Sequence, residues 1–140
     1  MSPRPVVLFL CVHNAGKSQM AAALLRLRAG DAVDVRSAGT DPDLHVHDES
    51  ARAVAELGAD MAGLTPRAID PDELRSADRV VILGADAQVA PVEGMRAPIE
   101  RWAVVEPAEQ GVSGLARTRG VRDDIARQVD ALYAELLPAG

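Results

Sequence analysis

Pro5-Val6-Val7-Leu8-Phe9-Leu10-Cys11 is an unbroken apolar run. A run of that length without polar alternation predicts a strand buried on both faces of a parallel sheet. His13-Asn14-Ala15-Gly16 interrupts it. From Ser18 the spacing of Met20, Leu24 and Leu27 predicts a helix with these side chains on one buried face, ending near Gly30. A second strand is predicted at Ala32–Arg36, followed by a polar loop over Ser37–His47. Asp48 then caps a helix through Leu57, with Ala51, Val54 and Leu57 as its buried stripe and Gly58 as its stop. Asp70-Pro71-Asp72-Glu73 joins an N-cap, a proline at the first helical position and a glutamate three residues on, which marks another helix start. Strands follow at Arg79–Gly84 and Ile99–Val105, and Leu115, Val121, Ile125, Val129, Leu132 and Leu136 recur at helical spacing down to Pro138.

Strands alternating with helices imply an α/β fold, an open four-stranded parallel sheet flanked by helices, with residues 1–140 as a single domain. Ligands of such sheets bind outside the carboxyl ends of the strands, near the point where strand order reverses. Two loops meet that condition, Val12–Lys17 after the first strand and the segment around Glu106 after the fourth.

Composition narrows the function. A net charge of −6 and aromatics limited to Phe9, Trp102 and Tyr133 argue against nucleic-acid binding, which needs a basic footprint and stacking platforms. No apolar run approaches the ~18 residues of a membrane span, and Val6–Val12 is too short for a secretory signal, so a cytoplasmic location is expected. Cys11 is the single cysteine, which rules out an intrachain disulfide and paired-cysteine zinc sites. His45 and His47 beside Asp43 and Asp48 lack a firm third ligand, so no metal site is expected, and Asp41-Pro42, which follows the second strand in a long loop, is not taken as a catalytic acid. Fourteen of the fifteen basic residues are arginine, and the single lysine is Lys17.

The segment Cys11-Val12-His13-Asn14-Ala15-Gly16-Lys17-Ser18 links strand to helix. A tight turn there aims backbone N–H groups of Val12, His13, Asn14, Ala15, Gly16 and Lys17 inward, and the helix dipole adds positive potential, giving a small oxyanion cradle. A cysteine at its base is held as the nucleophilic thiolate by the same donors, by the Ser18 hydroxyl and by Lys17. Asn14 either braces this loop through its side chain or serves as a turn residue tolerating left-handed backbone angles. A nucleotide-binding P-loop reading of Ala15-Gly16-Lys17-Ser18 fails, because that motif needs glycine where Cys11 stands.

A cysteine, five residues, a cation and a serine opening the first helix of such a domain resembles the low-molecular-weight protein tyrosine phosphatase fold. Within it, Cys11 to Ala22 is similar to the arsenate reductases that share the fold. The similarity continues through Ser37-Ala38-Gly39-Thr40, Glu56 to Met61, Ala77 to Gly84, Glu106-Pro107 and Val121-Arg122-Asp123-Asp124-Ile125. Most of that superfamily carries arginine at the position of Lys17 and Asp-Pro at the position of Glu106-Pro107. Both departures resemble the actinobacterial arsenate reductases that use mycothiol.

The resemblance implies a catalytic set of Cys11, Lys17, Ser18 and Glu106, with Glu106 as the acid. The implied activity is arsenate detoxification as an arsenate-mycothiol transferase with no bound cofactor and mycothiol as co-substrate. Cys11 attacks arsenate, mycothiol takes the arsenic, and a mycoredoxin later releases arsenite. Without a second cysteine an internal disulfide relay is closed, so the reducing thiol must come from outside. Two other readings stay open: a low-molecular-weight protein tyrosine phosphatase, and a non-catalytic oxyanion-binding module. Trp102 either walls the pocket or packs in the core.

Overall fold

The computed structural model describes residues 4–105 and 114–136. Its centre is a four-stranded sheet of β1 (Val6–Cys11), β2 (Asp34–Gly39), β3 (Arg79–Leu83) and β4 (Ile99–Trp102), in the order β2-β1-β3-β4. Every pairing is parallel. Around it lie α1 (Lys17–Ala29), α2 (Asp48–Ala55), α3 (Pro71–Ser76) and α4 (Gly114–Leu136). The chain leaves β1 for β2 on one side and then crosses to β3 on the other, so strand order reverses at the carboxyl ends of β1 and β3. That is where a crevice opens in sheets of this type.

The unbroken apolar run of β1 has a simple cause. Val7 and Phe9 face a core shared with α1, α2 and α4, while Leu8 and Leu10 face a second core against Leu74, Ala77 and Ala97. β3 repeats the pattern, with Val81 and Leu83 on the first face and Val80 and Ile82 on the second. Period-two alternation with both faces covered leaves no polar position from Val7 to Leu10 in β1 or from Val80 to Leu83 in β3. Trp102 meets Phe9 edge to face at 5.7 Å between ring centres, which makes it a core residue and not a wall of the site.

Several expected boundaries shift. Ala32 belongs to a short 3-10 turn, Gly30–Ala32, and β2 runs on to Gly39 because its pairing with β1 continues to Cys11. β4 stops at Trp102, since Leu83 is the last β3 residue available to pair with it. The first helix starts at Lys17 and is buried on almost every side from Ser18 to Leu25, the run Ala21-Ala22-Ala23 allowing close approach all round. Leu27 and Leu57, expected in buried stripes, are 52% and 44% exposed. Both lie at helix ends, where they line a shallow groove with Leu24, Ala126 and Val129.

α4 is tied to the end of α2 by charge. Arg122, buried on α4, donates to the carbonyl oxygen of Ala53 at 2.8 Å and to Glu56 at 2.6 Å. A cation at the carboxyl end of a helix also meets the favourable end of its dipole. Arg119 adds a two-pronged contact to Glu56, at 2.9 and 2.6 Å. These donors, Arg119 first and then Arg122, hold the Glu56 carboxyl down at about 2. A carboxyl lowered on folding stabilises the fold above its ordinary range near 4.5, and that contribution disappears as pH falls from there towards 2. Thermal unfolding of Glu56→Gln against wild type is expected to show the variant less stable at pH 7, with the gap closing through this acid window.

Candidate active site

Four carbonyl oxygens at and after the end of β1 are occupied from one side. Backbone N–H groups of Thr40, Asp41, Asp43 and His47 donate to the carbonyls of Cys11, Val12, His13 and Ala15 at 2.8–3.1 Å. In a trans peptide the carbonyl points opposite to the next N–H, and the described residues contain no cis bond. The N–H groups of Val12, His13, Asn14 and Gly16 therefore face the other way, towards the crevice. One of them is seen to do so, since Asn14 N–H donates to Cys11 Sγ at 3.3 Å.

α1 opens directly behind this loop. Gly16 caps it without any side-chain hydrogen bond, and its first turn holds no acidic residue. The helix start thus has no side-chain cap and keeps the positive end of its dipole, which suits an anion.

The side chains around the sulfur form a directed chain whose polarity is fixed from one end. Arg67 N–H can only donate, and it does so to Asn14 Oδ1 at 2.9 Å. Gln19 Nε2 donates to the same oxygen at 3.2 Å. The amide end of Asn14 must then face Ser18, and Nδ2 donates to Ser18 Oγ at 2.7 Å. With Asn14 donating to it, Ser18 Oγ lies 3.0 Å from Cys11 Sγ and has its own proton available for the sulfur. A backbone amide at 3.3 Å and a hydroxyl at 3.0 Å thus converge on the sulfur. Asn14 fills both roles considered from sequence: its φ is 51° and its fully buried side chain carries the relay.

The supports of this relay are long-range. Arg67 carries its side chain to the Ser37 carbonyl at 3.2 Å and to Glu73, which also receives Arg36 at 3.0 Å. Gly39, at the end of β2, leaves room for the loop. A Cβ there would sit 2.5 Å from the Val12 carbonyl oxygen, closer than real atoms approach, and a tight 3.0 Å from Asn14 N. None of these partners carries a periodic signal in sequence: Gln19, Ser37 and Gly39 lie within the strings quoted above and Glu73 within the helix start at Asp70, but Arg67 lies in none of them.

Cys11 lines a cleft of about 450 Å³ at the carboxyl ends of β1 and β3. His13, Gly16 and Lys17 line it from the loop and α1, and His47, Glu49 and Ser50 from the start of α2. Gly84–Ala87 and the α4 residues Arg117 and Thr118 close the far side. Gly84 has φ +88°, and a Cβ on it would lie 3.4 Å from Lys17 Nζ, so the lysine chain runs across the turn after β3. Arg101 secures that turn, donating to the carbonyls of Gly84 and Ala87 at 2.7 and 2.8 Å. His47, Arg117, Thr118 and the 84–87 turn were not picked out as site residues from sequence.

Cys11, Lys17 and the loop residues His13 and Gly16 thus meet in one cleft, with Ser18 and Asn14 buried directly behind the sulfur. Glu106 and Pro107 lie outside the described residues. Asp124 on α4 does accept from Val105 N–H at 2.8 Å, which fixes the chain just before that segment. Among the described residues no group of three or more His, Cys, Asp or Glu stands close enough to hold a metal ion. No described helix is long and apolar enough to cross a membrane.

Residues 6–138 match the family model of the low molecular weight phosphotyrosine protein phosphatases, and the chain belongs to that family. A putative arsenate reductase of Halobacterium salinarum is 35% identical over 135 residues, covering 93% of this chain and 92% of that protein. Among solved structures, an arsenate reductase from Archaeoglobus fulgidus superposes with a TM-score of 0.72 at 30% identity, over 90% of this chain and 97% of that one. A thioredoxin-dependent arsenate reductase from Corynebacterium glutamicum gives a TM-score of 0.77 at 29% identity, over 96% of this chain. This chain spans only 62% of the length of that Corynebacterium protein.

Proposed function

We propose that the protein is an arsenate reductase that works by transferring arsenic to a small external thiol, mycothiol. The observation that carries this is the relay ending on Cys11: an amide N–H and a hydroxyl converge on one sulfur at the floor of an oxyanion cradle. The arsenate reductase relatives named above support the choice of oxyanion. The thioredoxin-dependent neighbour does not carry its electron route over, because this chain has no second cysteine with which Cys11 can close a disulfide.

In the first step Cys11 thiolate attacks arsenic and one oxygen departs as water, leaving a Cys11–arsenate adduct. Loop amides hold the remaining oxygens, and the Lys17 ammonium balances their charge. Glu106 is the proposed proton donor to the departing oxygen. In the second step mycothiol sulfur bonds to arsenic, the arsenic–Cys11 bond breaks, and the electron pair returns to Cys11, where Ser18 receives the thiolate. Arsenic stays pentavalent throughout. Its reduction to arsenite falls to a mycoredoxin acting on the released conjugate, so this protein is a transferase without a bound cofactor, and a cytoplasmic location fits that chemistry.

Aryl-phosphate hydrolysis is the nearest competing activity. The cleft wall offers it little, since Phe9, Trp102 and Tyr133 are all absent from the lining and no aromatic face can grip a phenol ring. Incubation with arsenate and mycothiol, glutathione or bacillithiol, each with its matched redoxin, separates the readings. Arsenite is expected with mycothiol and mycoredoxin, with slow hydrolysis of an aryl phosphate. Rapid aryl-phosphate hydrolysis without thiol-dependent arsenite formation would overturn the proposal.

A further inference from the structure

The transfer step leaves one proton unassigned. Mycothiol arrives as a neutral thiol at pH 7, because an unperturbed aliphatic thiol ionises near pH ~8.5, and its sulfur attacks only once that proton is gone. Two histidines border the cleft, His13 and His47. They differ in what orients them. His13 Nδ1 lies 3.0 Å from the Asp41 carbonyl oxygen, a neutral acceptor. His47 Nε2 lies 3.5 Å from the Asp43 carboxylate, four residues back in the loop. A carboxylate at Nε2 favours the tautomer with its proton there and leaves Nδ1 as the proton acceptor. It also stabilises the imidazolium that forms when Nδ1 takes a proton, which a carbonyl does far less.

Nδ1 is placed for that task. It lies 3.3 Å from where a Cβ on Gly16 would stand, so the ring covers the glycine at the start of α1, on the rim of the oxyanion cradle. The backbone fixes it there, His47 N–H donating to the Ala15 carbonyl at 2.8 Å. His47 is half-exposed, as a group serving an incoming solute must be. Lys17, Arg117, Glu49 and Asp86 share the cleft lining with it, and Asp43 lies against its other nitrogen.

We propose that His47, oriented by Asp43, is the proton acceptor for the attacking thiol. The thiol S–H proton passes to His47 Nδ1 as the sulfur–arsenic bond forms, and the arsenic–Cys11 bond releases its electron pair to Cys11. The imidazolium then returns its proton to solvent. This rests on the arsenic-transfer reading above.

The test is the pH profile of kcat/KM for mycothiol in His47→Gln, measured as arsenite formed in the presence of excess mycoredoxin. A general base is worth roughly 100-fold or more, so about that loss is expected at pH 7. Above pH ~9, where the thiol ionises in bulk, the variant is expected to come within a few-fold of wild type. Protection of Cys11 from iodoacetamide by arsenate should be unchanged, since binding precedes this step. Asp43→Asn should give the same profile at smaller amplitude, about fivefold at pH 7. An equal loss at both pH values, no loss, or the pH-selective loss in His13→Gln instead would overturn the proposal. If wild type forms no arsenite with any small thiol, the transfer reading fails and this inference with it. Wild-type turnover with an unaffected His47→Gln refutes this inference alone.

Discussion

Replacing Cys11 with serine is expected to bring arsenite formation down by roughly 10⁵-fold, to the assay background, while leaving both the fold and oxyanion binding in place. The loss is large because the sulfur makes and breaks the bond to arsenic, and a neutral hydroxyl at that point has neither its charge nor its nucleophilicity. Fold and binding survive for separate reasons. Cys11 is 8% exposed and closes a strand whose stability comes from Val7, Leu8, Phe9 and Leu10, so exchanging one small side chain for another costs about 1 kcal/mol or less. The cradle is built from backbone N–H groups whose carbonyls are anchored by Thr40, Asp41, Asp43 and His47, and none of these bonds involves the sulfur. Calorimetry with arsenate should therefore give a Kd within about tenfold of wild type, because Cys11 contributes one contact among several. Loss of turnover with retained binding separates an enzyme from a passive oxyanion receptor. Arsenite formation persisting in the serine variant would remove Cys11 from the chemistry.

How far the sequence carries depends on how local the physics is. β1 is legible because burial on both faces leaves only apolar residues between Val6 and Cys11, and the α3 start is legible because Asp70, Pro71 and Glu73 act within one turn. Asp70 does cap that helix, its side chain accepting from Asp72 N–H at 2.8 Å. Leu27 and Leu57 mislead because helical spacing reports a face but not where along the helix the neighbouring elements stop. The site divides in the same way. Cys11, Lys17 and Ser18 sit in one strand–turn–helix string whose residue types suffice to suggest a thiolate in an anion cradle. Arg67 acts through its backbone N–H, which any residue but proline would supply, so no residue type could have disclosed it. His47 is a different case. Its pairing with Asp43 was visible as a possible metal ligand set, and only the ring's position over Gly16 turns it towards the cleft.

Asn14 is where fold and chemistry depend on the same side chain, and its substitution separates the two. Asn14→Ala is expected to lower stability by about 2–4 kcal/mol. One part is the part-buried Arg67 N–H left without its acceptor, worth about 1–2 kcal/mol, and the other is alanine forced to a φ of 51°, about 1–2 kcal/mol. For a chain of this size that corresponds to a fall in Tm of roughly 10 °C, measurable by calorimetry. Turnover should fall by roughly 10–100-fold in the fraction that remains folded. Without Nδ2 to occupy Ser18 Oγ, the hydroxyl is no longer committed to the sulfur, and a bond to a charged acceptor is worth about 1.5–3 kcal/mol. Asn14→Gly resolves these contributions, because glycine accepts the left-handed backbone without strain. The glycine variant should recover about 1 kcal/mol of stability relative to alanine yet show the same deficit in turnover. If glycine restored turnover as well, backbone conformation alone would account for Asn14, and the hydrogen-bond relay to Cys11 would have no catalytic part.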